Sequence, residues 1–256
     1  MTGSKIVNSI IKGSRVLRHL ANEVDRVSDL SKELQLSKST VHRLLKSLEM
    51  SGMVMQDPLT RRYYLGPLIL ELAAQPGIAH HVLTLCAFSE MKRLRDLCGE
   101  TVLLHIRCGV ERMCLDELQS LEQIKYTGGG REISEPIYTG SAGKVLLSKL
   151  PDAELHVILD NLTLILLTPS TITDKEALLT EVKKAREQGY AMSFGERTPG
   201  SASISVPISS YVCPVALSVL GPDNRFSSKM MTCLDDIKLG AARISNKLKK
   251  NLTPTV

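Results

Sequence analysis

The chain has 256 residues, enough for one large domain or two of ordinary size. Its 43% hydrophobic and 23% charged residues are the composition of a folded protein, and three Phe, six Tyr and no Trp leave an aliphatic core without an aromatic platform for single-stranded bases. The net charge of +5 is unevenly placed: residues 1–66 hold 11 of the 32 Lys and Arg but 6 of the 27 acids, and the other 190 residues balance. That asymmetry suggests a basic module for a polyanion joined to a neutral module with another task. No apolar run, with 162–167 among the longest, approaches the roughly 18 residues of a membrane span, and the polar start lacks a secretory h-region. The expectation is a soluble, cytoplasmic protein without a membrane partner. Cys86, Cys98, Cys108, Cys114, Cys213 and Cys233 form no CxxC and meet no paired His, so reduced thiols and no metal site are expected.

Residues 1–66 read as three short helices and a hairpin. The first helix carries Ile10, Ile11, Leu17 and Leu20 and fades near Ala21. Ser28 is a candidate cap for the second, on which Leu30 and Leu34 share a face, and Gln35-Leu36 makes a tight corner. Ser37 is the candidate cap of a third helix over 38–50, stopped before Gly52. On that helix Val41, Leu44, Leu45 and Leu48 fall at i, i+3, i+4 and i+7 and form one buried stripe. Ser39, His42, Arg43 and Lys46 project opposite, with Thr40 beside them, as hydrogen-bonding and cationic groups suited to base edges and phosphates. Lys38 sits at the positive helix start, well placed for a phosphate. Residues 53–57 and 61–65 pair across Pro58-Leu59-Thr60 as a hairpin, whose Arg61 and Arg62 would meet DNA backbone or minor groove. Elements in this order predict a winged helix-turn-helix over a helical subdomain with a merely solvated basic face.

Ser37-Lys38-Ser39-Thr40-Val41-His42-Arg43-Leu44-Leu45, then Leu48, Gly52 and Tyr64-Leu65-Gly66, resemble the DNA-binding domain of IclR-type bacterial transcriptional regulators. Two positions depart from the family's usual small Ala and corner Gly: Ser31 and Gln35. A left-handed corner costs a residue other than glycine roughly 1 kcal/mol, which a packed domain absorbs.

Gly66-Pro67 opens a linker helix over 68–74, stopped around Gln75-Pro76-Gly77, so the linker is read as 67–77. A longer helix over 79–98 shows Val82, Leu85, Phe88, Met91 and Leu94 at helical spacing. From Glu100 the pattern alternates: strands at 101–107, with Val102, Leu104 and Ile106 on one face, and at 112–118, then short strands at 124–126 and 136–138. Helices over 141–150, 152–159 and 174–187 precede strands at 190–194, 203–208 and 212–220 and a final helix over 228–249. Hairpin strands with segregated helices predict an α+β domain over 78–256 on an antiparallel sheet. The fold class is therefore α+β in two domains, a winged helix-turn-helix joined by a helical linker to a second α+β domain.

This half resembles the IclR family too, in Gly99-Glu100-Thr101, 136–144, 168–172, Gly189-Tyr190-Ala191, 196–200, 203–208 and Gly221-Pro222. The resemblance implies a GAF-like effector-binding domain that senses a small metabolite, commonly an organic or aromatic acid, in a protein that forms dimers and often tetramers. It places the pocket between 139–143 and the strands near Ser193, Ser203 and Ser218. Gly140 and Ser141, at a helix start, offer backbone N–H groups to a carboxylate, while the three strand serines supply hydroxyls or satisfy neighbouring backbone. Some members carry Asp and Cys where this chain has Ser193 and Ser203, so no named effector transfers. Leu220, in place of a polar residue of one branch, hints at a more apolar ligand.

Gly128-Gly129-Gly130 lacks the surroundings of a phosphate loop and reads as a flexible turn, and Gly143-Lys144 is followed by Val145 rather than Ser or Thr. Glu196 and Gly200 read as loop geometry. Cys213-Pro214 departs from the family's hairpin turn, which reshapes a pocket wall, exposes a thiol or is incidental. The reading is a sequence-specific regulator of double-stranded operator DNA controlled by a small effector, with no cofactor and no catalytic residue. A thiol-based enzyme would need clustered cysteines beside a base, and an architectural DNA binder leaves 190 neutral residues without a task.

Overall fold

The computed structural model describes residues 7–252, and its contacts divide the chain between Ala79 and His80 into two compact units. The first contains α1 (Asn8–Leu20), α2 (Val27–Leu34), α3 (Lys38–Met50), the hairpin β1 (Val54–Gln56) and β2 (Tyr63–Leu65), then α4 (Pro67–Ala73) and the short α5 (Pro76–Ala79). Val16, Leu20, Leu30, Leu34, Val41, Leu45, Val54 and Tyr63 form its core, with Leu44 and Leu48 packed against them. Ile10 and Ile11 do not contribute; they are exposed, because the buried face of α1 runs through Gly13, Val16 and Leu20.

Helix starts show which caps hold. Ser37 Oγ accepts the Thr40 N–H at 3.2 Å, as its position before α3 predicts. Ser28 is no cap: α2 begins one residue earlier, after Arg26, and Ser28 Oγ instead donates to Asp29. Gln35 takes the left-handed corner at φ 54°.

The second unit contains α6 (His81–Cys98), β3 (Thr101–Cys108), β4 (Glu111–Leu118), β5 (Ser134–Pro136), α7 (Gly140–Ser148), α8 (Asp152–Asn161), α9 (Lys175–Gln188), β6 (Ala191–Phe194), β7 (Ser201–Ile208), β8 (Val215–Pro222), α10 (Asp223–Phe226) and α11 (Met230–Leu252). Its sheet has the order β5-β4-β3-β8-β7-β6, with every neighbouring pair antiparallel. Four expected elements differ. Residues 124–126 form no strand, although Tyr126 O accepts from Thr101 Oγ1 at 2.7 Å. The strand expected at 136–138 lies two residues earlier, because Ile137 and Tyr138 turn the chain into α7. Pro214, which lacks an N–H, precedes β8 and delays its start to Val215. The last helix is preceded by α10 and a 3-10 turn over Ser227–Lys229.

Period-2 alternation gives the central strands two different faces. Val102, Leu104 and Ile106 of β3, Ile204 and Val206 of β7 and Leu217 and Val219 of β8 pack with Leu83, Met91 and Leu94 of α6 and Ile237, Ile244 and Leu248 of α11. The expected α6 stripe is only half right: Val82, Leu85 and Phe88 are exposed, and the buried line runs Leu83, Ala87, Met91, Leu94 and Cys98. Both lines have helical spacing, so only the tertiary contacts choose between them.

The alternate positions face the other way, where α7, α8 and α9 build a second core around Leu146, Leu147, Leu155, Leu178 and Val182. Here β3 presents Leu103 and His105, β7 Ser203 and Ser205, and β8 Ser218 and Leu220, in registers that pair Ser205 with Ser218, Ser203 with Leu220 and Leu103 with Ser218. Polar side chains on an otherwise buried face, beside the start of α7, mark the place to look for a site.

Candidate functional site

In the first unit, Lys38, Ser39, His42, Arg43 and Lys46 are exposed on α3, and Thr40 is half-buried. This surface is the reverse of the Val41–Leu45 stripe. A groove beside it is lined by Thr40 and Arg43 together with Ser9 and Lys12 of α1, two residues the sequence reading does not select. Two expected cations have partners: Lys46 Nζ is 2.8 Å from Glu49 and Arg62 is 3.0 Å from Asp25. Arg61 is exposed at the hairpin, at φ 60°.

In the second unit a cavity opens between the polar sheet face and the start of α7. Its volume is about 60 Å³. Gly140, Ser141, Ser193, Ser203 and Ser218 all line it, so the expected positions come together. The hydroxyls form a chain: Ser141 Oγ lies 2.8 Å from Ser203 Oγ and 2.7 Å from Ser205 Oγ, which is 2.7 Å from Ser218 Oγ. Ser205 is fully buried and joins the chain from behind, a residue the sequence reading passes over.

The start of α7 differs from the expectation of free amides. Gly140 N–H donates to Glu196 Oε2 at 3.0 Å, and Glu196 Oε1 accepts from Lys144 Nζ at 2.6 Å. Glu196 is thus more than loop geometry: its buried carboxylate caps α7 and neutralises Lys144. Ser141 and Ala142 remain as first-turn residues facing the cavity. Gly140 itself adopts φ 77°, and a Cβ there would touch the Arg112 guanidinium at 3.5 Å. The triple glycine is not a free turn either, since Gly128 and Gly130 N–H donate to Glu117 at 3.3 and 3.0 Å.

Charged residues missed by the sequence reading complete the wall. Arg112 of β4 is buried and donates to Glu135 and to the Thr139 carbonyl, while Arg197 Nη2 lies 2.6 Å from the other Glu135 oxygen. His105 is 5% exposed, and its Nδ1 has no hydrogen-bond partner. Burial, reinforced by the charges of Arg112 and Arg197, holds its pKa well below the usual histidine range, so the ring is neutral. The signal was present in the strand: a histidine in register with the inward Leu103, one residue off the aliphatic face.

Four of the thiols are disfavoured as thiolates. Burial raises Cys98, Cys108 and Cys213, and raises Cys114 to about 12, so none of these four is held as thiolate. Cys213 is half-buried against the aliphatic core, and nearby Tyr211 makes a 2.7 Å hydrogen bond with His80 Nδ1. No group of three potential metal ligands occurs among the described residues, and no described helix is long and apolar enough to cross a membrane.

Residues 9–58 match the IclR helix-turn-helix domain and residues 78–246 the C-terminal domain of bacterial IclR transcriptional regulators. The chain belongs to the IclR family. Among similar proteins, the XynR regulator of Escherichia coli K12 is 30% identical over 228 residues, 84% of this chain and 87% of XynR. The AllR repressor of the same organism is 31% identical over 245 residues, 93% of this chain and 89% of AllR. A solved IclR-family protein from Rhodococcus sp. matches at a TM-score of 0.74 and 25% identity, covering 96% of this chain and 95% of its own. The IclR of Thermotoga maritima matches at 0.62 and 26%, covering 94% and 99%. The α+β fold in two domains is that of IclR regulators, and this chain is a DNA-binding transcriptional regulator with a C-terminal effector-binding domain.

Proposed function

We propose that Lys38, Ser39, Thr40, His42, Arg43 and Lys46 of α3 and Arg61 and Arg62 of the hairpin contact operator DNA, and that a small organic acid in the cavity of the second unit sets the affinity. The DNA-binding domain runs over 1–66, the linker over 67–77 and the effector domain over 78–256. The α3 residues support direct readout: their exposed polar side chains share one helix face, and none belongs to the core. Lys46 and Arg62 must exchange Glu49 and Asp25 for phosphate, whereas Arg43 and Arg61 have no such exchange to make.

The observation that carries the effector half is the hydroxyl chain Ser203–Ser141–Ser205–Ser218 at the start of α7. Gly140, Ser141, Ser193, Ser203 and Ser218 are the proposed ligand contacts, with Gly140 acting through its backbone shape rather than its N–H, which Glu196 holds. The protein works as a homo-oligomer in the cytoplasm, a dimer reading two half-sites, and performs no chemistry of its own. Selection of a binding site from random duplexes, followed by anisotropy titration, tests the reading. A selected site bound at least a thousandfold tighter than random duplex is expected, and no sequence preference would overturn it. Light scattering of the chain on that duplex should give two or four copies; one copy would overturn the oligomer.

A further inference from the structure

We propose that Cys108 and Cys213 are a modification site: a small disulfide of the glutathione type oxidises them to a bridge between β3 and the turn before β8, and the bridge changes the affinity for DNA. The thiol chemistry is independent of the effector cavity, and DNA binding supplies only the second readout.

Strand register brings the two residues together. β3 and β8 run antiparallel with Leu104 opposite Leu217 and Ile106 opposite Val215, and one further same-face step in each chain sets Cys108 opposite Cys213. Directly opposed residues of an antiparallel pair have Cα atoms about 4.5–5.5 Å apart, inside the roughly 4.4–6.8 Å that a disulfide spans. Both side chains pack on the same aliphatic cluster, and a charge on Cys108 opposes ionisation of Cys213, as expected of neighbouring thiols. Both thiols are free and half-buried, so a small oxidant reaches them. Cys98 and Cys233 are neighbours too, but Cys98 is 5% exposed where α6 packs on α11, which shields that pair.

The reaction is two exchanges. One protein thiolate attacks the small disulfide and releases one thiol; the second protein thiolate attacks the resulting mixed disulfide and releases the other. Two protein S–H bonds are lost and one S–S bond forms, while the oxidant takes up both electrons and both protons as two thiols. Burial raises both cysteines and Arg107 opposes that rise at each, so exchange is slow at neutral pH and quickens as the pH rises.

The bridge adds a covalent anchor to a turn already tied at two points. Ser209 N–H donates to Ser245 Oγ of α11 at 3.0 Å, and the Tyr211 hydroxyl meets His80 Nδ1 at 2.7 Å. His80 stands at the head of α6 and directly follows α5, where the chain passes from the first unit into the second. Fixing the turn therefore fixes the partner of the residue at that passage, which couples thiol oxidation to the segment leading from the DNA-binding unit.

The test exposes the reduced full chain to glutathione disulfide, alkylates the remaining thiols and locates cross-linked peptides by mass spectrometry. A peptide joining Cys108 to Cys213 should form, at a rate that rises roughly tenfold from pH 7 to pH 8 as the thiolate fraction does. Cys213→Ser should instead hold Cys108 as a mixed disulfide with glutathione, and Cys108→Ser should hold Cys213 so; circular dichroism checks that both variants are folded. The oxidised chain should bind duplex DNA with a dissociation constant changed about fivefold or more, restored by dithiothreitol and unchanged in the double serine variant. Glutathione left on either cysteine of the wild type without a bridge, or a bridge joining Cys98 to Cys233 instead, overturns the site. A Cys108–Cys213 bridge that leaves the DNA constant unchanged overturns its coupling to DNA.

Discussion

Glu196, in the loop after β6, holds the start of α7 through one carboxylate, accepting from Lys144 Nζ at 2.6 Å and from the Gly140 N–H at 3.0 Å. Side-chain exposures of 3% for Lys144 and 8% for Glu196 make this a buried pair, and breaking such a pair by removing one partner typically costs about 3–5 kcal/mol. Lys144→Met and Glu196→Gln should each destabilise the second unit on that scale. The double variant should lose less than the sum, because neither charge is then left alone. Urea melts of the four proteins give the coupling, and additive losses would show that the pair is not a unit.

Stability should also depend on pH through the buried His105 and, more weakly because solvent reaches it, the half-buried His80. His105 is held well below the usual range by burial, then by Arg112 and Arg197, and His80 is lowered by its burial. An unfolded histidine binds its proton near pH 6.5, so below that pH the unfolded chain gains a proton that the folded chain refuses. The second unit is therefore most stable above about pH 6.5 and weakens as the pH falls toward the folded values, at no more than about 1.4 kcal/mol per pH unit per histidine. His105→Asn should flatten the slope between pH 7.5 and 5.5, measured by urea midpoints; an unchanged slope would place the proton elsewhere.

The first unit was legible because its signals are local. The Ser37 cap, the Val41–Leu45 stripe and the Gln35 corner are decided within a few residues of themselves, and the structure has all three. The cavity was legible only in part. Ser141, Ser203 and Ser218 lie on elements read correctly, yet Arg112, Glu135 and Arg197 meet from β4, β5 and the loop after β6, and no local pattern announces that meeting. The apolar alternation of β3 marks Val102, Leu104 and Ile106 and carries no signal for His105, on the other face. On α6 two apolar lines share the helical period and meet at Met91 and Leu94, and packing buries Leu83 and Ala87 rather than Val82, Leu85 and Phe88.

Gly143 shows how closely α7 approaches the preceding turn. A Cβ there would stand 1.7 Å from the Ile137 carbonyl oxygen, a backbone atom that cannot rotate away. Gly143→Ala should cost about 3 kcal/mol or more, since α7 must move off the turn that seats it. A thermal melt within a degree of wild type would contradict the packing.

On DNA, Arg43→Ala should weaken the selected site by about 1–3 kcal/mol and relax the preference at one base position, as expected for a side chain that reads a base edge. Arg61→Ala should weaken selected and random duplexes alike and reduce the slope of log affinity against log salt by about one. Anisotropy titrations over a salt series separate the two, and equal behaviour of both variants on both duplexes would contradict the division between helix and hairpin.

The central claim is that a molecule in the serine-lined cavity changes the grip of the α3 face on DNA. It is tested most directly by the dissociation constant of the full chain for its selected duplex, measured with and without a panel of two- to five-carbon monocarboxylates. At least one acid should shift that constant about fivefold or more, and Ser203→Ala, which removes one link of the hydroxyl chain, should weaken the response. An acid that binds the protein while the DNA constant stays fixed, or a panel in which none binds, would contradict the account.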